Sequence, residues 1–87
     1  MKLVFTDSSW NDYLWFQDNE KKLLKRINGL IKEIQRTPFE GTGKPELLKA
    51  NLSGFWSRRI NLEHRLVYKV TETEITFISF RFHYAKD

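Results

Sequence analysis

The sequence predicts an α+β fold in which two helices pack as a hairpin on a twisted antiparallel β-sheet, after a short N-terminal strand. Apolar residues recur at helical spacing in the first half of the chain, whereas the second half contains three runs rich in β-branched and aromatic residues. With 87 residues the chain has room for one hydrophobic core. We therefore expect a single domain that spans residues 1–87.

The chain is expected to begin with a strand and a first helix. Residues 3–5 are apolar and partly β-branched, and residues 6–8 then supply turn and N-cap chemistry. The apolar residues that follow share one helical face, and they are Trp10, Tyr13 and Leu14. This first helix is predicted to end at residues 18–19.

The second helix is the most clearly predicted element. One apolar stripe runs along it, formed by Leu23, Leu24, Ile27, Leu30, Ile31 and Ile34. Asn19 is the expected N-cap. The helix should stop at Thr37, because Pro38 excludes the residue before it from the α region.

The second half of the chain predicts a sheet. Residues 55–60, 65–70 and 75–82 have strand composition, and a polar turn at residues 71–74 separates the last two. Three consecutive strands with short links favour an antiparallel meander. The last strand is expected to continue towards Tyr84.

The connection between helices and sheet, residues 37–53, is predicted to be a loop of functional length. Pro45 suits the first turn of a short helix. Residues 45–49 should then form one helical turn, with Leu47 or Leu48 as its apolar anchor. Glu46 and Lys49, three residues apart, would share a face of that turn.

Alternation of side chains along the strands predicts which polar groups lie away from the helices. It places Arg59 and Arg65 as neighbours on the outer sheet face, and it places Arg81 and His83 on the same face. The apolar set of the last strand would then be Ile78, Phe80 and Phe82. This face therefore carries a cluster of cationic side chains.

The composition indicates a polyanionic partner. Fifteen Lys and Arg residues against eleven Asp and Glu residues give a net charge of +4. Residues 1–40 contain seven basic and six acidic groups, whereas residues 41–87 contain eight basic and five acidic groups. The anion-binding surface is therefore expected in the second half.

The absence of cysteine excludes disulfide frameworks, thiol catalysis and thiolate metal sites. No stretch approaches the ~20 apolar residues of a membrane span, and the N-terminus lacks a signal-peptide core. These features favour a cytoplasmic protein that does not enter a membrane.

The polar residue types match the needs of RNA cleavage by its own 2'-hydroxyl. Such cleavage requires a base for the 2'-OH proton, cations for the pentavalent phosphate and an acid for the leaving 5'-oxygen. Carboxylate, guanidinium and imidazole suit these tasks, and no metal or other cofactor is needed. The candidate set is Glu46, Lys49, Arg59, Arg65, Arg81, His83 and Tyr84.

Several long motifs resemble one known family. They are RTPFEG at 36–41, GKPE at 43–46, NLSGFWSRRI at 51–60, HRLVY at 64–68 and HY at 83–84. Together they resemble the YoeB (Txe) toxins of bacterial type II toxin–antitoxin systems, within the RelE/ParE superfamily, over residues 1–84. The resemblance implies a RelE-like fold of the microbial-RNase type.

The resemblance also implies an activity and a role for each residue. The expected activity is that of an endoribonuclease that cleaves mRNA in the A site of the 70S ribosome without a metal ion. By position, Glu46 resembles the general base, His83 the general acid and Arg65 the group that stabilises the phosphorane. The residues expected to bind phosphate or position RNA are Lys49, Arg59 and Tyr84, with Arg81 adding positive potential.

The resemblance further implies that the protein is a homodimer and that a YefM-type antitoxin neutralises it. Residues 85–87 form a short tail after Tyr84 and lie beside the expected acid. Two alternatives remain: a ParE-like toxin that blocks its target without cleaving RNA, and a non-catalytic RNA-binding module. Stacking aromatics would be expected on the sheet of such a module.

Overall fold

The computed structural model describes residues 1–81. The chain forms β1 (Lys2–Phe5), α1 (Asp7–Asn19), α2 (Lys21–Arg36), β2 (Glu46–Leu47), β3 (Trp56–Arg59), β4 (Arg65–Val70) and β5 (Glu74–Ser79). One turn of 3-10 helix, Ala50–Leu52, lies between β2 and β3. The predicted α+β class is confirmed.

The five strands form one sheet in the order β1-β5-β4-β3-β2. The pairs β2–β3, β3–β4 and β4–β5 are antiparallel, which confirms the meander. β1 pairs in parallel with β5, so the sheet is mixed rather than wholly antiparallel. Parallel neighbours need a long connection, and the helices with the rest of the sheet provide it.

The helix boundaries follow from local chemistry. Thr6 caps α1, because its Oγ1 accepts a hydrogen bond of 3.1 Å from the backbone N–H of Ser9. Asn19 does not cap α2 as predicted. Its side-chain amide donates to the carbonyl of Trp15, 2.9 Å away, so Asn19 stabilises the C-terminal end of α1. The residue that precedes α2 is Glu20, and its side chain makes no capping hydrogen bond.

The hydrophobic core lies between the two helices and one face of the sheet. The predicted stripe of α2 faces it, with Ile27 and Ile34 fully buried. The sheet and α1 contribute the other buried members, which are Phe16, Ile60, Leu66, Tyr68, Ile75, Phe77 and Phe80. No helix within residues 1–81 is both long enough and apolar enough to cross a membrane.

A β-bulge changes the side-chain alternation of the last strand. Tyr68 pairs with Phe77, but the preceding residue, Val67, pairs with Ser79, so Ile78 is an extra residue on β5. The inward residues of β5 are therefore Ile75 and Phe77, not Ile78 as predicted. Phe80 is buried as expected, whereas Phe82 lies outside the described residues.

Candidate active site

The outer face of the sheet, opposite the helices, brings one carboxylate and two guanidinium groups into adjoining rows. Glu46 lies opposite Ser57, and Ser57 lies opposite Val67. Two residues further along β3, Arg59 lies directly opposite Arg65. Since residues on one face recur about every 6.6 Å along a strand, the two rows are neighbours. The predicted pairing of the two arginines is confirmed.

Arg65 is a buried cation, with only 7% of its surface exposed. Its Nη1 donates hydrogen bonds to the carbonyl oxygens of Asn61 at 2.7 Å and His64 at 3.1 Å, which fixes the side chain against the β3–β4 turn. Within residues 1–81 it forms no ion pair, and its Nε and Nη2 donate no hydrogen bond. A buried guanidinium is normally paired with an anion. Arg65 therefore offers two donors to a ligand.

Arg59 is exposed, and its backbone is held firmly. Its N–H donates to the carbonyl of Gly43 at 2.7 Å, and its own carbonyl accepts from Nη2 of Arg26 at 3.1 Å. Like charges directly opposite each other in a sheet are destabilising. The Arg59–Arg65 pair is thus an arrangement whose electrostatic cost a bound anion would offset.

Glu46 and Lys49 do not share a helical face as predicted, because residues 45–49 do not form a helical turn. Glu46 and Leu47 pair with β3 as an edge strand, and the N–H of Leu48 continues the ladder to the carbonyl of Phe55 at 2.9 Å. Lys49 is exposed and precedes the 3-10 turn. Leu48 is 5% exposed, so it is the apolar anchor of the segment even without the helix.

The prediction that Arg81 lies on the outer face with Arg59 and Arg65 is wrong, because its guanidinium stacks on a helix. Its guanidinium carbon lies 3.9 Å from the centre of the Trp15 ring, so it stacks on α1. The cause is that β5 ends at Ser79. The next N–H, that of Phe80, donates to the carboxylate of Asp12 at 3.0 Å and turns the chain towards α1.

His83 and Tyr84 lie outside the described residues, as do residues 85–87. The last described residue before them, Arg81, is the one held on Trp15. The other histidine of the chain, His64, directly precedes β4. It is 4% exposed and packs edge-on against the ring of Phe16, 5.2 Å away.

Arg58, which was not among the predicted site residues, is fully buried below the candidate site on the helix side of the sheet. All five guanidinium N–H donors are used. The acceptors are the Glu33 carboxylate at 2.6 Å, the Tyr68 hydroxyl at 3.2 Å and the carbonyls of Thr37 at 2.7 Å, Glu40 at 2.9 Å and Thr42 at 3.1 Å. We call Arg58 with these five acceptors the Arg58 hub.

Two titratable groups in the Arg58 hub have pKa values shifted from their ordinary values. Hydrogen bonds from the backbone N–H and the hydroxyl of Thr42, and the neighbouring Arg58, lower the pKa of Glu33. Burial raises the pKa of Tyr68, although Arg58 opposes this effect. One signal for the hub was present in the sequence, since an arginine between Trp56 and Ile60 on the core-facing side of a strand needs a buried partner.

The accessible positive charge is not confined to the second half of the chain. Arg58 and Arg65 are buried there, whereas α2 carries six basic residues and a single acidic one, Glu33, which is paired with Arg58. A groove of about 450 Å³ runs along α2, lined by Lys22, Lys25, Arg26, Gly29, Leu30, Glu33 and Thr42. Accessible positive charge is therefore also present in the first half of the chain, where the sequence did not lead us to expect it.

The outer face carries groups whose chemistry suits a phosphate ligand, with Glu46 in the row beside the two arginines. Guanidinium groups match phosphate oxygens in charge and geometry, and a carboxylate in the adjoining row can accept a proton from a bound hydroxyl. The fold and this sheet face define a small α+β protein with a cationic candidate site for a phosphate ligand.

The family model for the YoeB-like toxin of bacterial type II toxin–antitoxin systems matches residues 5–84. The toxin YoeB of Synechocystis sp. is 67% identical over 86 residues, which are 99% of this chain and all of that protein. The toxin YoeB of Escherichia coli K12 is 58% identical, over 97% of this chain and all of that protein. The chain belongs to the YoeB-like toxin family.

Solved structures agree with this assignment. The YoeB/ParE toxin from Agrobacterium tumefaciens superposes with a TM-score of 0.94 at 50% identity, covering 97% of this chain and all of that one. The YoeB dimer from Staphylococcus aureus gives a TM-score of 0.90 at 49% identity. The toxin of the heterotetrameric YoeB–YefM complex from the same species gives 0.88 at 49% identity. In both staphylococcal cases the match covers 97% of this chain and 98% of the other.

Proposed function

We propose that this protein is an endoribonuclease toxin that cleaves mRNA in the A site of the translating ribosome. The observation that carries the proposal is the Arg59–Arg65 pair, in which one arginine is buried without a carboxylate among residues 1–81 and lies one row from Glu46. Its relatives named YoeB at 58% and 67% identity support the same activity.

The proposed reaction is an attack of the 2'-OH on the adjacent phosphate. Glu46 takes the 2'-OH proton, and the open donors of Arg65 stabilise the pentavalent phosphate as negative charge accumulates on it. His83 protonates the leaving 5'-oxygen. This division of work needs no metal ion, because side chains supply the base, the acid and the positive charge.

The remaining site residues hold the substrate in this proposal. Arg59 and Lys49 are exposed and bind the phosphates that flank the scissile one. Tyr84 positions the RNA. Arg81, stacked on Trp15, contributes positive potential where the described chain ends, next to the segment that carries His83 and Tyr84.

The proposed partners are the ribosome, a YefM-type antitoxin and a second copy of this chain. Structures of a YoeB dimer and of a YoeB–YefM complex, both from relatives 49% identical, support the last two. The basic surface of α2 lies away from the outer face and is suited to ribosomal RNA. A ribosome-dependent activity places the protein in the cytoplasm.

Primer extension on translating ribosomes tests the proposal. Glu46→Gln and His83→Ala should each lower the cleavage rate by at least about 10²-fold, as expected for loss of a general base or acid. Glu72→Gln removes an exposed carboxylate from the β4–β5 turn and should cleave at the normal rate. Circular dichroism should give the same spectrum for all variants.

Three results would overturn the proposal. Unchanged cleavage by both Glu46→Gln and His83→Ala would exclude the acid–base mechanism. Growth arrest with intact mRNA would exclude cleavage itself, and DNA damage in those cells would identify a ParE-like toxin. Binding of RNA without any product would identify a non-catalytic RNA-binding module.

A further inference from the structure

The loop between α2 and β2 is fastened to β3 at several points before it reaches Glu46. Three of its carbonyl groups, those of Thr37, Glu40 and Thr42, accept hydrogen bonds from Arg58. The carbonyl of Gly43 accepts from the backbone N–H of Arg59 at 2.7 Å. Only two residues separate that last bond from Glu46.

Loop backbone and hub are in close contact, so neither can shift alone. Gly41 has φ of +121°, and a Cβ atom there would collide with the carboxylate of Glu33. Gly43 has φ of +86°, and a Cβ atom there would lie 3.1 Å from the Arg59 carbonyl oxygen and 3.2 Å from Cβ of Arg58. Gly41 therefore serves a close approach of the loop to Glu33 of α2, and Gly43 serves a close approach to β3.

Other elements hold the hub in turn. Glu33 connects it to α2, and Tyr68 connects it to β4, where its hydroxyl also donates to the carbonyl of Pro38 at 2.8 Å. A planar guanidinium that uses every donor has one orientation. The side chain of Arg58 thus fixes the position of the loop relative to both α2 and β4.

We propose that Arg58 is a positioning residue for the reaction, which holds the α2–β2 loop so that Glu46 lies at the working distance from the Arg59–Arg65 pair. The proposal rests on the proposed function, because it assigns Arg58 an effect through Glu46. Arg58 itself lies on the helix side of the sheet and does not contact the substrate. A misplacement near 1 Å lowers a rate by about 10²-fold, so the fastening of this loop matters for catalysis.

A double-mutant cycle separates positioning from stability. Arg58→Lys keeps the charge but loses the planar fork, and its kcat for ribosome-bound mRNA should fall by about 10²-fold with KM changed by less than about 2-fold. In the Glu46→Gln background the same substitution should lower the rate by less than about 2-fold, because the group that Arg58 positions is already missing. Single-turnover reactions with excess toxin give both rates.

A core variant provides the stability control. Ile27→Ala removes buried volume from α2 without touching the loop, and Tm is measured for every variant. Ile27→Ala should lower Tm while kcat stays within about 2-fold of the wild type at temperatures below unfolding. If Arg58→Lys does not fold, Tyr68→Phe removes one hydroxyl of the hub, and its smaller loss of kcat should also vanish in the Glu46→Gln background.

The outcomes distinguish the two proposals. Full activity of Glu46→Gln overturns the part of the proposed function that makes Glu46 the general base. A loss in Glu46→Gln together with an equal loss from Arg58→Lys in both backgrounds overturns the positioning role, as does unchanged kcat in Arg58→Lys. A loss from Arg58→Lys that disappears in the Glu46→Gln background supports it.

Discussion

Arg59 and Arg65 are direct partners across the β3–β4 ladder, so two positive charges occupy one pair position on the outer face of the sheet. Arg59 is exposed and Arg65 is buried. Since like charges in this relation repel, the pair favours a bound anion over an empty site. In the proposed function, this local loss of stability accompanies the charge that binds the substrate phosphate.

Removing the exposed charge of this pair should therefore stabilise the protein while it weakens the activity. Arg59→Gln is expected to raise the free energy of unfolding by about 0.5 kcal/mol and to lower kcat/KM for ribosome-bound mRNA. Urea unfolding and primer extension measure the two effects. Lys69→Gln is the control, because the Lys69 ammonium lies over the ring of Phe55 and not beside an arginine, and it should give no gain in stability.

Breaking the Arg58 hub on one side only should destabilise the fold strongly. Arg58→Met leaves the Glu33 carboxylate without its cation and leaves three loop carbonyls without their donor. The expected result is a lower free energy of unfolding in urea, because the buried groups that Arg58 satisfied are left without a donor. The double variant Arg58→Met with Glu33→Leu should recover part of this loss, because it also removes the unpaired charge. No recovery would contradict a dominant role of the ion pair.

Acid should unfold the protein partly through Glu33. Its pKa is lowered in the folded state, mainly by hydrogen bonds from Thr42. Its contribution to stability is therefore complete above the ordinary value of 4.5 and is lost as the pH falls through the lower folded value. Glu33→Gln should give a flatter dependence of unfolding free energy on pH below 4.5. An unchanged pH dependence would show that Glu33 is not responsible.

The basic surface of α2 should contribute to ribosome binding through phosphate contacts. Lys25→Glu, in the α2 groove, is expected to weaken ribosome binding and to reduce the dependence of affinity on salt by about one unit of slope. Lys2→Glu changes the net charge equally on β1 and should leave both quantities unchanged. Cosedimentation at several salt concentrations measures them, and equal effects of the two variants would contradict a localised contact.

Local periodicity was enough to predict the elements and part of the site. The stripe of α2 and the meander followed from spacings of 3.6 and 2 residues, which depend only on neighbours in the chain. The same period of 2 correctly made Arg59 and Arg65 neighbours, because the link between β3 and β4 is short. The motifs that contain Glu46 and Arg65 carried the family resemblance.

Only the tertiary structure decided where that periodicity fails and which residues hold the α2–β2 loop in place. The extra residue Ile78 shifts the alternation of β5, and Arg81 leaves the sheet for Trp15 because Asp12 takes the next N–H. Arg58 finds its carboxylate 25 residues away at Glu33. Such contacts join parts of the chain that no short window compares. The sequence by itself therefore determined the elements and the residue types of the site, whereas packing decided how the loop that carries Glu46 is held.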